Sequence, residues 1–249
     1  MTDVPQETLE RLRRTSTATL TSQLFRRGFR NTYMAGVRPL GTYEDNLVGP
    51  AFTLRYIPAR EDLDSYGAQP DPNEFQRAAL EAVPPGHVLV MDCRAEARAA
   101  SAGDVYATRL HVRGVAGVVS DGGIRDTAAI RRMKLPVFCA GPSAPSNRLL
   151  HHAVDYGRPI ACGGVAVYPG DIVVGDADGV CVIPFLLADE VARDGAEQEA
   201  LEAFIQQRVQ RGEALPGLYP VNARTRADYA AWKAAQTTGG DVSRNDAPE

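Results

Sequence analysis

The chain has 249 residues, 44% of them hydrophobic and 23% charged, with a formal net charge of −4. That length supports a large core in one domain with added arms, and the charge balance offers no general surface for nucleic acid or an anionic membrane. The polar start MTDVPQETLERLRR has no signal-peptide core, and no run nears the roughly 20 apolar residues of a membrane span, so a cytoplasmic protein is expected.

In chain order, ETLERLRRTSTATLTSQLFRRG predicts a helical arm within residues 1–30, broken near its Thr/Ser cluster and stopped at Gly28. A central domain over 31–212 follows, then a C-terminal arm and flexible tail over 213–249. AFTLRYI, residues 51–57, is rich in strand formers, and PAREDLDSYGAQPDP is an acidic loop. NEFQRAALEAV reads as a helix, Pro84-Pro85-Gly86 as a break, and HVLVMD as a buried strand. A helix is expected over 102–113, a strand over 115–120, a helix over 127–133 and a strand over 135–141. GPSAPSNRLLHHAVDYGR is a polar, turn-rich connection, whereas 159–184 alternates short apolar strands with YPGD and GDADG turns. A long helix over 185–211 ends at Gly212, GLYPVNARTRADYAAW forms a final arm, and TTGGDVSRNDAPE frays. Helix-strand alternation followed by a helix-free sheet segment predicts an α/β layered domain with a mixed sheet.

The side chains that carry chemistry are sparse. Cys93, Cys139, Cys162 and Cys181 are widely separated and have no zinc-like spacing; Cys139 and Cys181 read as small core residues. His151 and His152 are adjacent, which on a helix points them apart. Only Lys134 and Lys233 are lysines among 27 basic residues.

SDGGIRD, residues 120–126, ends a core strand in Asp121, Arg125 and Asp126. Asp104 starts the preceding helix. That helix runs roughly 14 Å outward at 1.5 Å per residue, and the strand returns roughly 17 to 20 Å at 3.3 Å per residue. Asp104, Arg125 and Asp126 therefore share one edge of the sheet, where open α/β sheets bind ligands. Two carboxylates with only oxygen donors suit Mg2+ or Mn2+, and a guanidinium fork suits a substrate carboxylate. The alternative is an N-cap at Asp104 and a salt-bridged surface turn at Arg125-Asp126.

AGDVYATRLHVRGVAGVVSDGGIRD resembles the family of 4-hydroxy-4-methyl-2-oxoglutarate aldolases and regulators of ribonuclease activity, the RraA-like proteins. An Asp, twenty residues and Arg-Asp recur here without a gap as Asp104 and Arg125-Asp126, and PGDIVVGDADGVCVIP matches the same style. The resemblance implies a three-layer β/β/α swivelling domain that forms a homotrimer or dimer of trimers, with sites at subunit interfaces. It implies that Asp126 ligates the metal, that Asp104 holds a metal-bound water, and that Arg125 binds the 2-oxo acid. It further implies a glutamate from a neighbouring subunit acting through water, Glu199 with Glu202 as the alternative, and carboxylate contacts from the backbone at Ala102 and Gly103. Arg55, Arg60, Glu61, Arg94 and Arg98 are candidates to reach a second carboxylate or sugar hydroxyls of the substrate, whose identity the resemblance leaves undecided.

Cleavage of a 4-hydroxy-2-oxo acid needs an electron sink, either a lysine Schiff base or a divalent cation. The scarcity of lysine favours the cation. The expectation is thus a metal-dependent lyase, an aldolase releasing pyruvate and an aldehyde or oxo acid, with oxaloacetate decarboxylase activity from the same enolate. The alternatives are a non-catalytic regulator that binds a ribonuclease and another metal-enolate enzyme acting on sugar acids. A dinucleotide-binding site is disfavoured because the glycines of SDGGIRD lack G-x-G-x-x-G spacing.

Overall fold

The computed structural model describes residues 4–65, 67–68, 71 and 74–239. The chain divides into two compact units, Met1–Ala196 and Glu197–Glu249, with the boundary inside one long helix. The first unit opens with α1 (Gln6–Arg13) and α2 (Thr17–Arg26). They part at Thr15-Ser16, where the Ser16 hydroxyl accepts the Thr19 N–H at 3.1 Å and caps α2. Gly28, at φ +90°, ends the helical arm.

Next come β1 (Arg38–Pro39), β2 (Leu47–Pro58), α3 (Glu74–Ala82), β3 (Val88–Asp92), β4 (Ala100–Ala102) and α4 (Asp104–Val112). They are followed by β5 (Gly117–Ile124), α5 (Thr127–Ile130), β6 (Val137–Pro142) and β7 (His151–Tyr156). β8 (Ile160–Cys162), β9 (Val165–Val167), β10 (Ile172–Asp176) and β11 (Gly179–Ile183) complete the strands. The main sheet runs β1-β6-β5-β3-β2-β10-β11, with β4 beside β5 and β7 beside β2. β2, β3, β5 and β6 are parallel, while β7 and β10 join β2 antiparallel. The segment before β2 nearly closes this mixed sheet into a barrel: Tyr33 bridges Cys181 of β11, and Arg38-Pro39 pair with β6.

The twofold alternation of strand side chains builds the layers. In β3, Leu89 and Met91 join Leu80, Ala107 and Leu110 of α3 and α4, whereas Val88 and Val90 join Cys162 and Val165 of the β8–β9 hairpin. Helices, sheet and hairpin thus form the three β/β/α layers. A further cluster sets Ile172, Val174 and Cys181 against Leu12, Leu20 and Leu24 of the arm and Val191 of α6 (Ala188–Gln210). Each fully buried Leu or Val contributes on the order of 1.5–3 kcal/mol. The second unit holds the rest of α6 and α7 (Ala223–Gly239), clustered on Phe204, Ile205, Leu218 and Tyr229.

Several elements differ from the sequence pattern. The strand expected over 115–120 runs on through both glycines to Ile124. A Cβ on Gly122 would lie 2.7 Å from Cys93 Cβ, and one on Gly123 2.5 Å from Ser143 Cβ, so close packing rather than a turn selects these glycines. The polar connection over 141–158 contains β7, whose His151 and Ala153 are buried while His152, Val154 and Asp155 are only partly so. The helix over 127–133 is one turn long, and a 3-10 turn over Phe185–Leu187 precedes α6. The expected fraying falls partly on α7; residues 240–249 of the tail lie outside the described residues. Among the described residues, no helix is long and apolar enough to cross a membrane.

Candidate active site

β4 and β5 are parallel neighbours, with Ala102 in register with Ile124. Each strand then turns into a helix, so Gly103-Asp104 and Arg125-Asp126 emerge side by side. This direct pairing, rather than the helix-and-return path, accounts for their proximity. The Arg125 N–H donates to Ala102 O at 3.1 Å and locks the two turns together. Asp104 N donates to Asp126 Oδ2 at 3.5 Å, a long contact, and Arg125 Nε lies 3.3 Å from the same oxygen. Gly103, not Asp104, is the N-cap of α4; Asp104 is its first helical residue.

The Arg125 and Asp126 side chains are 47% and 41% exposed, so solvent screens their pair and little free energy holds them together. Arg125 can therefore leave its own carboxylate for an incoming one. Asp126 adopts φ 55°, ψ 33°, a left-handed conformation that costs an ordinary residue roughly 1–2 kcal/mol. Arg94 and Ala95, after β3, share that region at φ 61° and 55°. Strained turns at the C-terminal ends of two parallel strands are a feature of functional sites.

A cleft of about 240 Å3 lies here, lined by Ala100–Tyr106, Arg125 and the turn Ser146–Arg148. Asp126 does not line it, touching its wall through the Oδ2 contacts above. The 146–148 turn is a part of the site that sequence reasoning missed. It is held from below by Gln76, which is fully buried: Asn147 Nδ2 donates to Gln76 Oε1 at 2.6 Å, and Gln76 Nε2 to Ser101 O at 2.6 Å. The only sequence signal was a polar SNR following a parallel strand.

Asp121, the first acid of SDGGIRD, belongs to the core. Its buried carboxylate accepts N–H bonds from Cys93 (2.6 Å), Ala95 (3.0 Å) and Gly163 (3.2 Å), tying β5 to the turns after β3 and β8. Burial raises its pKa, against the opposing effect of those bonds. Three of the arginines noted from sequence are paired with neighbours: Arg55 with Asp155, Arg60 with Asp62 and Arg98 with Glu96. The Arg98 guanidinium holds the Glu96 carboxyl at about 2. Arg94 donates to Leu150 O at 2.9 Å. Glu199 and Glu202 lie on α6 in the second unit, where Glu202 accepts from Gln198 at 2.8 Å.

Among the described residues, no group of three or more His, Cys, Asp or Glu side chains forms a metal cluster. Asp104 and Asp126 are nonetheless an all-oxygen pair, and Mg2+ is commonly held by one or two carboxylates with waters filling the rest of its shell. Gly103 lets the two turns approach closely, since a Cβ there would lie 2.6 Å from Asp126 Oδ2 and 3.0 Å from Arg125 Nε. This donor chemistry fits a hard divalent cation.

Residues 17–182 match the family model described as RraA-like, Aldolase/RraA. A Halalkalibacterium halodurans protein with the provisional name 4-hydroxy-4-methyl-2-oxoglutarate aldolase is 35% identical over 164 residues, 66% of this chain and 71% of that one. Protein DlpA of Legionella pneumophila is 28% identical over 171 residues, which are 68% of this chain but 26% of DlpA. Streptomyces coelicolor RraAS2, described as an unusual member of the RNase ES inhibitor RraA protein family, is structurally similar at TM-score 0.73. It is 32% identical, and the match covers 83% of this chain and 98% of that one.

Proposed function

This chain belongs to the RraA-like family, and from that premise we propose that it is a cytoplasmic, divalent-metal-dependent aldolase cleaving a 4-hydroxy-2-oxo acid to pyruvate and an aldehyde or oxo acid. The observation that carries the reading is the parallel β4–β5 pair, which sets Gly103-Asp104 beside Arg125 at one cleft, with Asp126 against the cleft wall.

Asp126 would hold Mg2+ or Mn2+ directly and Asp104 would hold it through water. When bound, the cation supplies the electron sink that enolate formation requires. The Arg125 guanidinium binds the C1 carboxylate and fixes the substrate's 2-oxo end. N–H groups in the Ala102–Asp104 turn, at the start of α4, offer further donors to that end. Asp104 orients a water that takes the C4 hydroxyl proton. The C3–C4 bond then breaks, C4 becomes a carbonyl carbon, and the electron pair passes to the three-carbon enolate. Protonation at C3 yields pyruvate. Loss of CO2 from oxaloacetate gives the same enolate, so decarboxylase activity accompanies the aldolase.

No lysine lines the cleft, which leaves a Schiff-base route without its nucleophile there. The cleft's volume is below the 300–1,000 Å3 usual for drug-sized ligands, which suits a small acid. In a homotrimer or dimer of trimers, Glu199 of a neighbouring copy, with Glu202 as the alternative, would complete the water shell.

Likeness to RraAS2 supports a second reading, a regulator that binds a ribonuclease. A coupled pyruvate assay with Mg2+, across 4-hydroxy-2-oxo acids, 2-dehydro-3-deoxy sugar acids and oxaloacetate, decides between them. Pyruvate release supports the aldolase. Silence on every substrate, together with specific binding of a ribonuclease, supports the regulator.

A further inference from the structure

Arg125 is not the cleft's only guanidinium. Arg148 lines it as well, from the turn after β6, and its side chain is 17% exposed. The backbone of that turn is rigidly placed: Asn147 is held by buried Gln76, and Ala100 N donates to Pro145 O at 2.8 Å. The side chain is steered too, with Arg148 Nη1 donating to Ser65 O at 3.1 Å and Nη2 to Asp71 Oδ1 at 3.0 Å.

Asp71 is shared, because Arg77 Nη2 donates to its other oxygen at 2.8 Å. One carboxylate between two guanidiniums leaves this trio with one net positive charge. A cation held by fixed partners at a small cleft is already oriented, so binding an anion there costs little conformational entropy.

Resting on the aldolase reading, we infer that Arg148 is a specificity-determining residue that takes the end of the substrate remote from C1. Arg125 binds the carboxylate of the 2-oxo acid, and Arg148 selects substrates whose far end is anionic. An uncharged far end gains nothing from the trio. The two arginines come from different segments, β5–α5 and the 146–148 turn, and their roles are separable by mutation.

The test is calorimetric binding of two probes to the full chain with Mg2+ present: pyruvate, which has one carboxylate, and 2-oxoglutarate, which adds a second at its far end. Wild type is expected to bind 2-oxoglutarate about tenfold more tightly. Arg148→Gln should erase that preference while leaving pyruvate affinity within about twofold, and Arg148→Lys should restore part of it. Arg125→Ala should weaken both probes. Thermal melts of each variant identify any that fail to fold, and Arg148→Lys then carries the comparison. An Arg148→Gln variant that loses both probes in proportion, or neither, overturns the inference while leaving the aldolase reading intact. If wild type binds neither probe, the aldolase reading fails and the inference falls with it.

Discussion

Gly103 and Asp126 approach so closely that a Cβ on the glycine would lie 2.6 Å from Asp126 Oδ2 and 3.0 Å from Arg125 Nε. Gly103 has φ −131° and ψ −170°, extended backbone that alanine adopts without strain. Gly103→Ala therefore acts through volume alone and pushes on both site groups. Mn2+ affinity by calorimetry should fall roughly 10–100-fold, as for other residues that support metal ligands, with little change in melting temperature. Unchanged Mn2+ binding would place the metal elsewhere.

Asp126→Asn and Arg125→Ala should separate two functions. The first removes a metal-ligand charge and should abolish Mn2+ binding. The second should keep Mn2+ but weaken pyruvate by about 1 kcal/mol, the upper end for a charge pair that solvent still reaches. Titrations of each variant with metal and then with pyruvate check both. Asp104→Asn should lower turnover more than metal affinity.

Dialysis against a chelator should stop pyruvate release, and Mg2+ or Mn2+ should restore it. Borohydride trapping of a substrate on lysine in the chelated enzyme would instead point to a Schiff base.

Gly123→Ala should destabilise the fold by about 1–3 kcal/mol, the range for overpacking. The new Cβ would meet Ser143 Cβ at 2.5 Å and Ala97 O at 2.8 Å, neither of them a flexible side-chain end. Urea denaturation measures the loss.

His151 should sensitise the fold to acid. Burial, the largest cause, lowers its pKa from 6.5, and Nε2–H donation to Ala99 O at 3.2 Å fits the neutral ring. With the folded pKa below the unfolded one, the contribution to stability is present above about pH 6.5 and is lost as pH falls through the folded pKa. Urea midpoints should drop more steeply between pH 7 and pH 5 in wild type than in His151→Gln. Parallel slopes would remove His151 from the acid response.

The layered fold was legible because its strands carry apolar runs and its helices end at glycine. The meeting of Asp104 with Arg125-Asp126 was anticipated from the helix-and-return path, whereas β4, whose parallel pairing with β5 brings them together, is only three residues long and left no strand pattern. Three further features were hidden. β7 escaped because His151, His152 and Asp155 give a strand the composition of a loop. Asp121 looked like a site acid, yet three N–H donors hold it in the core, and bonds between remote backbone groups leave no sequence pattern. Arg148 was hidden because its place depends on Gln76 and Asp71, some seventy residues earlier.

β2 carries a consequence for how the chain folds. Its first residues pair with β10, with Leu47 opposite Gly175, its middle with β3, and its end with β7, with Pro58 opposite His151. No local hairpin protects this strand. During synthesis its β10-facing edge has no partner until residue 176 emerges, and closing such distant contacts is slow because the intervening chain must first lose its freedom. An interior strand of the finished sheet is thus, for most of its assembly, an exposed edge of the kind that templates aggregation.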